Sequence, residues 1–339
     1  MDTLKPKLTL LEPQPTPLQY LSGLSQELFR EMYIKRDDLT PLGGGGNKLR
    51  KLEYLMFEAL NEQATTIITV GGIQTNHGRL TAAAAAKYGL KCIIVTVDDE
   101  YDGRLSGNLL LDGLFGARVI VKKNDGRDKD TQLSETVKQV MEQELQKGER
   151  IYFIPMGGID LTGMLGYYDC AKELDAQAQE HQINGATVYT AVSSMGTYLG
   201  LYCGLKAIHS SLKLTGIAIM PLDKDKLHHY FLQAKEAYGF TFDDSDMHIE
   251  TDYVRKGYNE PDKQVRHAIG LMARHEGLLL DPCYTGKMFA GVLDMIKEKK
   301  IKLGSQLILL HTGGMPGLYA AAHYTKFEKE LADTVTVIE

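Results

Sequence analysis

The sequence predicts an α/β protein with two open, twisted, mostly parallel sheets and helices on both faces. Short β-branched apolar runs alternate with amphipathic helical patterns along most of the 339 residues, a succession typical of parallel strands joined by helices. The chain is about twice the ~150 residues of a typical domain. Glycine clusters follow several strands, where open α/β sheets bind ligands.

The elements follow from these patterns in order. Predicted strands are rich in β-branched residues and cover residues 32–36, 66–70, 91–97, 118–121, 151–154, 187–192, 214–219 and 306–310. Predicted helices cover residues 48–61, 76–88, 131–146, 161–180, 197–209, 261–276 and 286–299. Residues 223–230 are predicted to be a solvated helix, because the adjacent His228 and His229 would point to different faces and form no metal site.

Composition excludes several classes of protein. The 38 Lys and Arg against 44 Asp and Glu give a net charge of −6, and no long basic run occurs, which argues against nucleic acid or an anionic membrane as a partner. No uncharged apolar stretch approaches the ~18 residues of a membrane span, and residues 1–11 have no signal-peptide core. The four separated cysteines form no CxxC motif. We therefore expect buried free thiols, no metal and a reducing, cytoplasmic location.

Glycine is in excess, and the excess is clustered. The chain has 34 glycines among 339 residues, against a usual share of ~7%. Clusters stand at residues 43–46, 71–72, 157–158 and 313–314. Such runs at strand ends suggest a ligand that lies close to the backbone. We expect the pair at 157–158 to act as a hinge rather than as a contact.

The most informative segment is KRDDLTPLGGGGNKLRKLEY, residues 35–54. It places Lys48 in the first turn of a helix, where the positive end of the helix dipole disfavours a structural lysine. Lys48 therefore either binds an anion or has a lowered pKa and forms a Schiff base, with Arg50 and Lys51 as neighbouring cations. Leu49 follows the lysine, so the segment is not a Walker A loop.

Two further segments join a strand end to a helix start. In VGGIQTNHGR, Thr75 and Asn76 occupy a helix-capping position, and the alternative is that free amides there bind a carboxylate. In AVSSMGTYLG, the loop from Ser194 to Thr197 offers amides and hydroxyls suited to a phosphate. This loop lacks the GxGxxG pattern of dinucleotide sites.

The last two segments are LDPCYTGK, which contains Tyr284, and LHTGGMPG, which contains Thr312. Each residue has a plain alternative role in a turn or in packing. Because ligands of open α/β sheets bind beyond the C-terminal strand ends, we expect all five segments to meet there.

Taken together, GGNKLRKLEYL, GGIQTNH, LDPCYTGK and HTGG resemble the fold-type II (tryptophan synthase β-like) pyridoxal-phosphate (PLP) enzymes. The branch of D-cysteine desulfhydrase and 1-aminocyclopropane-1-carboxylate deaminase is the most similar, and the resemblance runs from residue 34 to residue 318. It implies a larger PLP-binding domain from residues 1–48 and 160–339, a smaller inserted α/β domain from residues 49–159, PLP in the cleft between them, and a homodimer.

The resemblance also implies roles for individual residues. Lys48 would hold PLP as a Schiff base, and catalysis would involve Lys48, Thr75, Tyr258 and Tyr284. The other cofactor contacts would be Lys51, Ser194, Met195, Gly196 and Thr197 at the phosphate, Asn76 at the ring hydroxyl and Thr312 at the pyridine nitrogen. The substrate contacts would be Thr75, Asn76, His77, Tyr258, Tyr284 and Thr285.

The function implied is α,β-elimination from a small D-amino acid, with D-cysteine giving pyruvate, sulfide and ammonia. Thr285 stands where the deaminases have Glu, and His77 where they have Gln, which favours the desulfhydrase. Thr75 replaces a usual serine, and we expect its methyl group to narrow the cleft. The alternatives are the cyclopropane deaminase, a racemase or other β-eliminase, and a non-catalytic PLP-binding protein. Racemisation would need a second base opposite Lys48.

Overall fold

The computed structural model describes residues 4–12, 15–99, 101 and 103–338. The strands are β1 (Leu18–Tyr20), β2 (Glu31–Arg36), β3 (Thr66–Val70), β4 (Lys91–Asp98), β5 (Arg118–Lys123), β6 (Ile151–Ile154), β7 (Thr187–Val192), β8 (Lys213–Ala218), β9 (Ile249–Glu250) and β10 (Gln306–His311). The α-helices are α1 (Ser22–Leu28), α2 (Lys48–Asn61), α3 (Asn76–Lys87), α4 (Gly107–Leu114), α5 (Lys129–Gln146), α6 (Leu165–Glu180), α7 (Gly196–Ala207), α8 (Lys224–Tyr238), α9 (Lys263–Glu276), α10 (Thr285–Lys297) and α11 (Ala321–Glu330).

A six-stranded sheet joins the two ends of the chain. Its order is β1-β2-β10-β7-β8-β9, and every neighbouring pair is parallel except β1 with β2. The last strand, β10, lies between β2 and β7, with Leu309 opposite both Ile34 and Tyr189. Its side chains alternate between two cores, because Leu307 and Leu309 pack on one face while Ile308 and Leu310 pack on the other.

A four-stranded parallel sheet has the order β5-β4-β3-β6. All five residues of β3, one of its two central strands, are buried, as expected for a parallel strand covered on both faces. Ile67 packs with residues of α2 and α3, whereas Ile68 packs with Val137 and Val140 of α5. The two sheets with helices on both faces confirm the predicted fold class.

The eight predicted strands and seven predicted helices are all present. The strand ends lie within two residues of the predictions, whereas α6 begins at Leu165 instead of residue 161. The strands β1 and β9 and the helices α1, α4 and α11 were not expected. The predicted solvated helix at 223–230 is part of α8, and one of its faces is buried through Leu227 and Phe231.

Three further expectations concern membrane-spanning helices, metal-binding side chains and cysteines. No helix in the described residues is long and apolar enough to cross a membrane. Within the same residues, no group of three or more His, Cys, Asp or Glu side chains gathers where it could hold a metal ion. All four cysteines are free and buried.

Candidate active site

Two lysines from the start of α2 lie side by side in the protein interior. Lys51 is fully buried and donates a hydrogen bond to Gly157 O at 3.0 Å, while Lys48 is partly buried. No carboxylate of the described residues lies within 4.0 Å of either amine. Desolvation lowers the pKa of Lys48 to about 8, although a hydrogen bond with Lys51 opposes the shift. Desolvation, followed by the charge of Lys48, lowers the pKa of Lys51 well below its ordinary value.

Arg50 does not join this pair, contrary to the expectation that it is a cation beside Lys48. Its Nε and Nη2 donate to the two carboxylate oxygens of Asp37, both at 2.8 Å. Its Nη1 and Nη2 also reach Glu173, both at 2.9 Å. Residues two apart on a helix face in different directions, whereas residues three apart share a face. Lys51 is therefore the neighbouring cation, and Arg50 belongs to a separate buried network.

The glycine loop (residues 43–46) precedes Lys48 and is held from two sides. All four glycines have positive φ, a conformation that side chains rarely adopt. Arg79 of α3 donates to Gly43 O and, at 2.9 Å, to Gly45 O. Gly46 pairs with Gly313 after β10. The loop therefore fixes the start of α2 against both α3 and the end of β10.

Asn47 was not predicted to belong to the site. Its backbone N donates to Thr312 O at 3.0 Å, and its Nδ2 donates to Thr197 Oγ1 at 3.0 Å. Asn47 has helical φ and ψ of −55° and −25° and does not cap α2, so its side chain is free to bind another segment. An asparagine beside the lysine at a helix start was the available sequence signal.

Residues 193–197, which include the segment expected to bind phosphate and are called the phosphate loop below, follow β7 and lead into α7. Met195 has φ 66° and ψ −29°, a strained left-handed conformation of the kind found at functional sites. A Cβ on Gly196 would lie 2.8 Å from Lys51 Nζ. The N-terminus of α7 and the Lys51 amine therefore face the same space, which suits an anion.

Gly157 also lies at the space between Lys51 and the N-terminus of α7, contrary to the expectation that residues 157–158 form a hinge rather than a contact. A Cβ on Gly157 would lie 2.4 Å from Ser194 Oγ and 3.5 Å from Lys48 Nζ. The site offers two desolvated amines with no carboxylate of the described residues within 4.0 Å, a helix N-terminus, and glycines that keep the space open. These features fit the phosphate and the aldehyde of PLP.

Thr75 caps α3 and is buried. Its Oγ1 accepts a hydrogen bond from Gly78 N at 3.1 Å, which is the capping role considered from the sequence. Its methyl carbon lies against Gly71 and Gly78, because a Cβ built on either glycine would come within 3.0 Å of it. The methyl group therefore points into the protein, and we find no support for the expectation that it narrows the cleft.

The next two residues of α3 differ in direction. Asn76 Oδ1 accepts from Asn108 Nδ2 at 2.9 Å, and Asn76 Nδ2 lies beside Gly314, where a Cβ would be 2.8 Å away. The ring of His77 is turned into the core, with Nε2 3.0 Å from Thr69 Oγ1. Desolvation, followed by the charges of Lys48 and Lys51, lowers the pKa of His77 well below its ordinary value. His77 is therefore a neutral interior residue with its amide in the first turn of α3.

Tyr258 and Tyr284 form a pair opposite this loop. Their hydroxyl oxygens are 2.7 Å apart, and their rings meet edge to face with centroids 5.9 Å apart. A Cβ on Gly72 would lie 3.7 Å from the Tyr258 ring, so the pair faces the start of the loop that leads to α3. Desolvation raises the pKa of both hydroxyls. The two hydroxyls therefore stay protonated and are available as hydrogen-bonding groups.

Thr285 lies behind Tyr284 and is fully buried. Its hydroxyl donates to Asp281 Oδ1 at 2.7 Å and accepts from Asp281 N at 2.8 Å. Asp281 Oδ2 accepts from Tyr284 N at 2.9 Å. Thr285 and Asp281 therefore fix the turn that carries Tyr284. Asp281 was not singled out from the sequence, although an acidic residue just before Pro-Cys-Tyr-Thr is typical of such turns.

The predicted residues thus form a continuous chain of contacts around one space. Lys48 and Lys51 meet the phosphate loop, Asn47 links that loop to Thr312, and Gly314 meets Asn76. Residues 71–75 connect Asn76 to the tyrosine pair. Two predicted substrate contacts, His77 and Thr285, are buried side chains that hydrogen-bond to Thr69 and Asp281 instead.

Comparisons with known proteins agree with this geometry. A family model described as "Pyridoxal-phosphate dependent enzyme" matches residues 9–313. The chain is 41% identical over 325 residues to a D-cysteine desulfhydrase of Yersinia enterocolitica, covering 93% of this chain and 96% of the relative. It is 40% identical over 321 residues to a D-cysteine desulfhydrase of Klebsiella pneumoniae, with the same two coverages of 93% and 96%.

Two solved structures extend the comparison. A structure described as an ACC deaminase homologue superposes with a TM-score of 0.85 at 35% identity and covers 96% of each chain. Escherichia coli diaminopropionate ammonia lyase has a TM-score of 0.65 at 16% identity, covering 95% of this chain and 88% of its own, and shows the shared fold alone. The chain belongs to the family of pyridoxal-phosphate-dependent enzymes.

Proposed function

We propose that this enzyme is a lyase that eliminates the β-substituent of a small D-amino acid, with D-cysteine giving pyruvate, sulfide and ammonia. The observation that carries the proposal is the position of the Lys48 amine, which lies beside Lys51 and the phosphate loop with no carboxylate of the described residues within 4.0 Å. Desolvation there lowers the pKa of Lys48 to about 8. The relatives named D-cysteine desulfhydrase, which match over nearly the whole chain, supply the substrate.

The proposed cofactor contacts are those expected from the family resemblance. Lys48 would hold PLP covalently, while Lys51 and the loop from Ser194 to Thr197, with Met195 and Gly196, would bind its phosphate. Asn76 would contact the ring hydroxyl and Thr312 the pyridine nitrogen. When bound, PLP supplies an electron sink for the bonds at Cα of the amino acid.

The residues around the cofactor then act on the substrate. The amides of Asn76 and His77, with the Thr75 hydroxyl, receive the substrate carboxylate at the N-terminus of α3. The neutral amine of Lys48, freed when the substrate amine takes its place, would remove the Cα proton. The electron pair of the Cα–H bond forms a double bond to the β carbon as the carbon–sulfur bond breaks, and the sulfur leaves with the pair of that bond. The neutral hydroxyls of Tyr258 and Tyr284 would hydrogen-bond to the leaving sulfur. Water then hydrolyses the released 2-aminoacrylate to pyruvate and ammonia.

Ring-opening deamination of 1-aminocyclopropane-1-carboxylate is a second candidate, because the 35% identical structure is described as an ACC deaminase homologue. Racemisation is disfavoured, since it needs a second base and the pKa values of Tyr258 and Tyr284 are raised. A non-catalytic PLP-binding protein would have no use for the lowered pKa of Lys48.

We also propose the predicted domain division, with residues 49–159 as the inserted domain, because all strands of the four-stranded sheet lie between residues 66 and 154. A homodimer is proposed from the family resemblance. The exposed Leu110 and Leu114, one turn apart on α4, support it as apolar surface for a second copy. The buried free cysteines support a cytoplasmic location. The net charge of −6 supports the proposal that neither nucleic acid nor an anionic membrane is a partner.

The test is a substrate panel with the PLP-loaded protein: D- and L-cysteine, D-serine, β-chloro-D-alanine and the cyclopropane amino acid. We expect pyruvate and sulfide from D-cysteine. We also expect a visible absorption band that borohydride removes, with the reduced cofactor left covalently attached to Lys48. Lys48→Ala should lower turnover by at least ~10³-fold. The matched control is Lys138→Ala, which removes an exposed lysine of α5.

The outcomes separate the hypotheses. A colourless protein that does not bind added PLP would contradict the proposal. Pyruvate from the cyclopropane substrate and not from D-cysteine would select the second candidate. Inverted stereochemistry without pyruvate from any substrate would select the racemase.

A further inference from the structure

Asn108 is a polar residue in the first turn of the apolar helix α4, outside every motif recognised in the sequence. It is fully buried. Its Nδ2 donates two hydrogen bonds at 2.9 Å, to Gln74 O and to Asn76 Oδ1. Its own Oδ1 is buried without a partner in the described part of the chain. A buried oxygen without a partner lowers stability. The amide at this position is therefore explained by the two hydrogen bonds that its NH₂ donates.

These contacts fix the orientation of the Asn76 side chain. A backbone carbonyl only accepts hydrogen bonds, so the group of Asn108 that faces Gln74 O must be its NH₂. The same NH₂ faces Asn76, and the Asn76 atom nearest to it must therefore be the acceptor Oδ1. The Asn76 NH₂ is left on the opposite side, beside Gly314.

The backbone around Asn108 is also held in place, mainly by the side chain of Gln74. Its N donates to Gln74 Oε1 at 2.9 Å, and Gln74 Nε2 donates to Ser106 O at 3.0 Å. Ser106 Oγ accepts from Ala321 N at 3.0 Å. The start of α4 is thus tied to the loop before α3 and to the start of α11, which leaves Asn108 little freedom to rotate.

We propose that Asn108 is a positioning residue that makes Asn76 present a donor, and not an acceptor, to the ring oxygen of the cofactor. The inference rests on the proposed contact between Asn76 and PLP. A donor at that oxygen stabilises its ionised form, and a hydrogen bond to an ionised oxygen is among the stronger ones. An acceptor there would favour the neutral hydroxyl.

Asn108→Asp tests this, because a carboxylate of the same shape accepts from Asn76 and turns the Asn76 oxygen toward the cofactor. We expect the absorbance of the PLP-loaded variant to shift from the visible band to the near-ultraviolet band of the neutral ring. The ratio of the two absorbances should fall at least about tenfold. Asn184→Asp makes the same chemical change at an exposed position and should leave the spectrum unchanged.

Two further variants keep the test decisive. Asn108→Ser removes both donated bonds without burying a charge. It should shift the spectrum in the same direction by a smaller amount. This variant tests the proposal even if Asn108→Asp does not fold. On an Asn76→Ala background, Asn108→Asp should have no further effect on the ratio, because coupled residues are not additive.

Failure of the inference is distinguishable from failure of the proposed function. If the unsubstituted protein binds no PLP, the function fails. If it binds PLP and either folded Asn108 variant keeps the original band ratio, the positioning role is overturned. An equal shift in the presence and absence of the Asn76 side chain would likewise overturn it.

Discussion

The two sides of the first turn of α2 bury cations in opposite ways. On one side, Lys48 and Lys51 lie without a carboxylate of the described residues within 4.0 Å, and desolvation lowers the pKa of both amines. On the other side, Arg50 lies between Asp37 and Glu173. Desolvation alone would lower the pKa of Arg50, but Asp37 and the other anions raise it well above its ordinary value.

The difference separates a structural charge from a functional one. A buried charge that is paired and hydrogen-bonded within the protein is complete, whereas a buried amine without a counter-ion either loses its proton or awaits an anion. Arg50 is the first case, and Lys48 with Lys51 is the second. Four predictions test or sharpen this contrast.

The largest effect is expected from Arg50→Met. Removing the guanidinium leaves the fully buried Asp37 carboxylate with its main partner gone, and breaking such a pair costs about 3–5 kcal/mol. Urea unfolding of the cofactor-free protein measures the loss. Arg118→Met is the control, because Arg118 forms its ion pair from an exposed position, and it should cost under about 1 kcal/mol. Equal losses in the two variants would contradict the contrast.

Lys51→Met should behave in the opposite way. The cofactor-free protein should keep its stability within about 1 kcal/mol, because a buried amine without a nearby carboxylate is replaced by an apolar chain of similar length. The dissociation constant for PLP should rise about 10- to 100-fold through loss of a charged hydrogen bond to the phosphate. Absorbance titration and urea unfolding give both values, with the exposed Lys87→Met as control. A stability loss like that of Arg50→Met would disprove the distinction.

The capture of PLP by the cofactor-free protein should depend on pH through Lys48. Only the neutral amine attacks the aldehyde, and the pKa of Lys48 is lowered to about 8, chiefly by desolvation. The rate should therefore rise about tenfold between pH 7 and pH 9 and then level off. Stopped-flow absorbance measures it. A rate that keeps rising tenfold from pH 9 to pH 10 would indicate an ordinary lysine. In Lys51→Met the midpoint should fall, because the hydrogen bond that raises the pKa is lost.

The smallest effect is expected from Thr75→Ser. The hydroxyl that caps α3 is kept, and the methyl group removed is packed against Gly71 and Gly78 rather than in the cleft. We expect a stability loss of about 1 kcal/mol, the value of one buried methyl group, and unchanged relative rates on the substrate panel. A switch in substrate preference would restore the cleft-narrowing role of the methyl group.

Much of the fold followed from local patterns. Strand β3 is a β-branched run between polar residues, and α2 is an amphipathic segment after a glycine run, so both were predicted with the observed ends. The strands β1 and β9 were missed because three and two residues carry too little periodicity. Helix α4 was missed because its leucines form a continuous run rather than one apolar stripe.

Within the site, the sequence located the segments better than the directions of their side chains. Lys51 beside Lys48 was expected, and the spacing of three residues on a helix supports it. The inward turn of His77 depends on Thr69 of β3, and the burial of Thr285 depends on Asp281. Neither partner lies in a pattern that marks it from the sequence.

The sequence by itself determined the order of the glycine-rich motifs, the lysine at a helix start and the family to which they belong, because these depend on neighbouring residues and short spacings. The tertiary structure decided which buried cation is paired, which loop carbonyls Arg79 holds, and that Asn108 orients Asn76. Those outcomes depend on contacts between residues far apart in the chain, and the direction of a buried side chain is set by whichever partner satisfies its charge or hydrogen bonds.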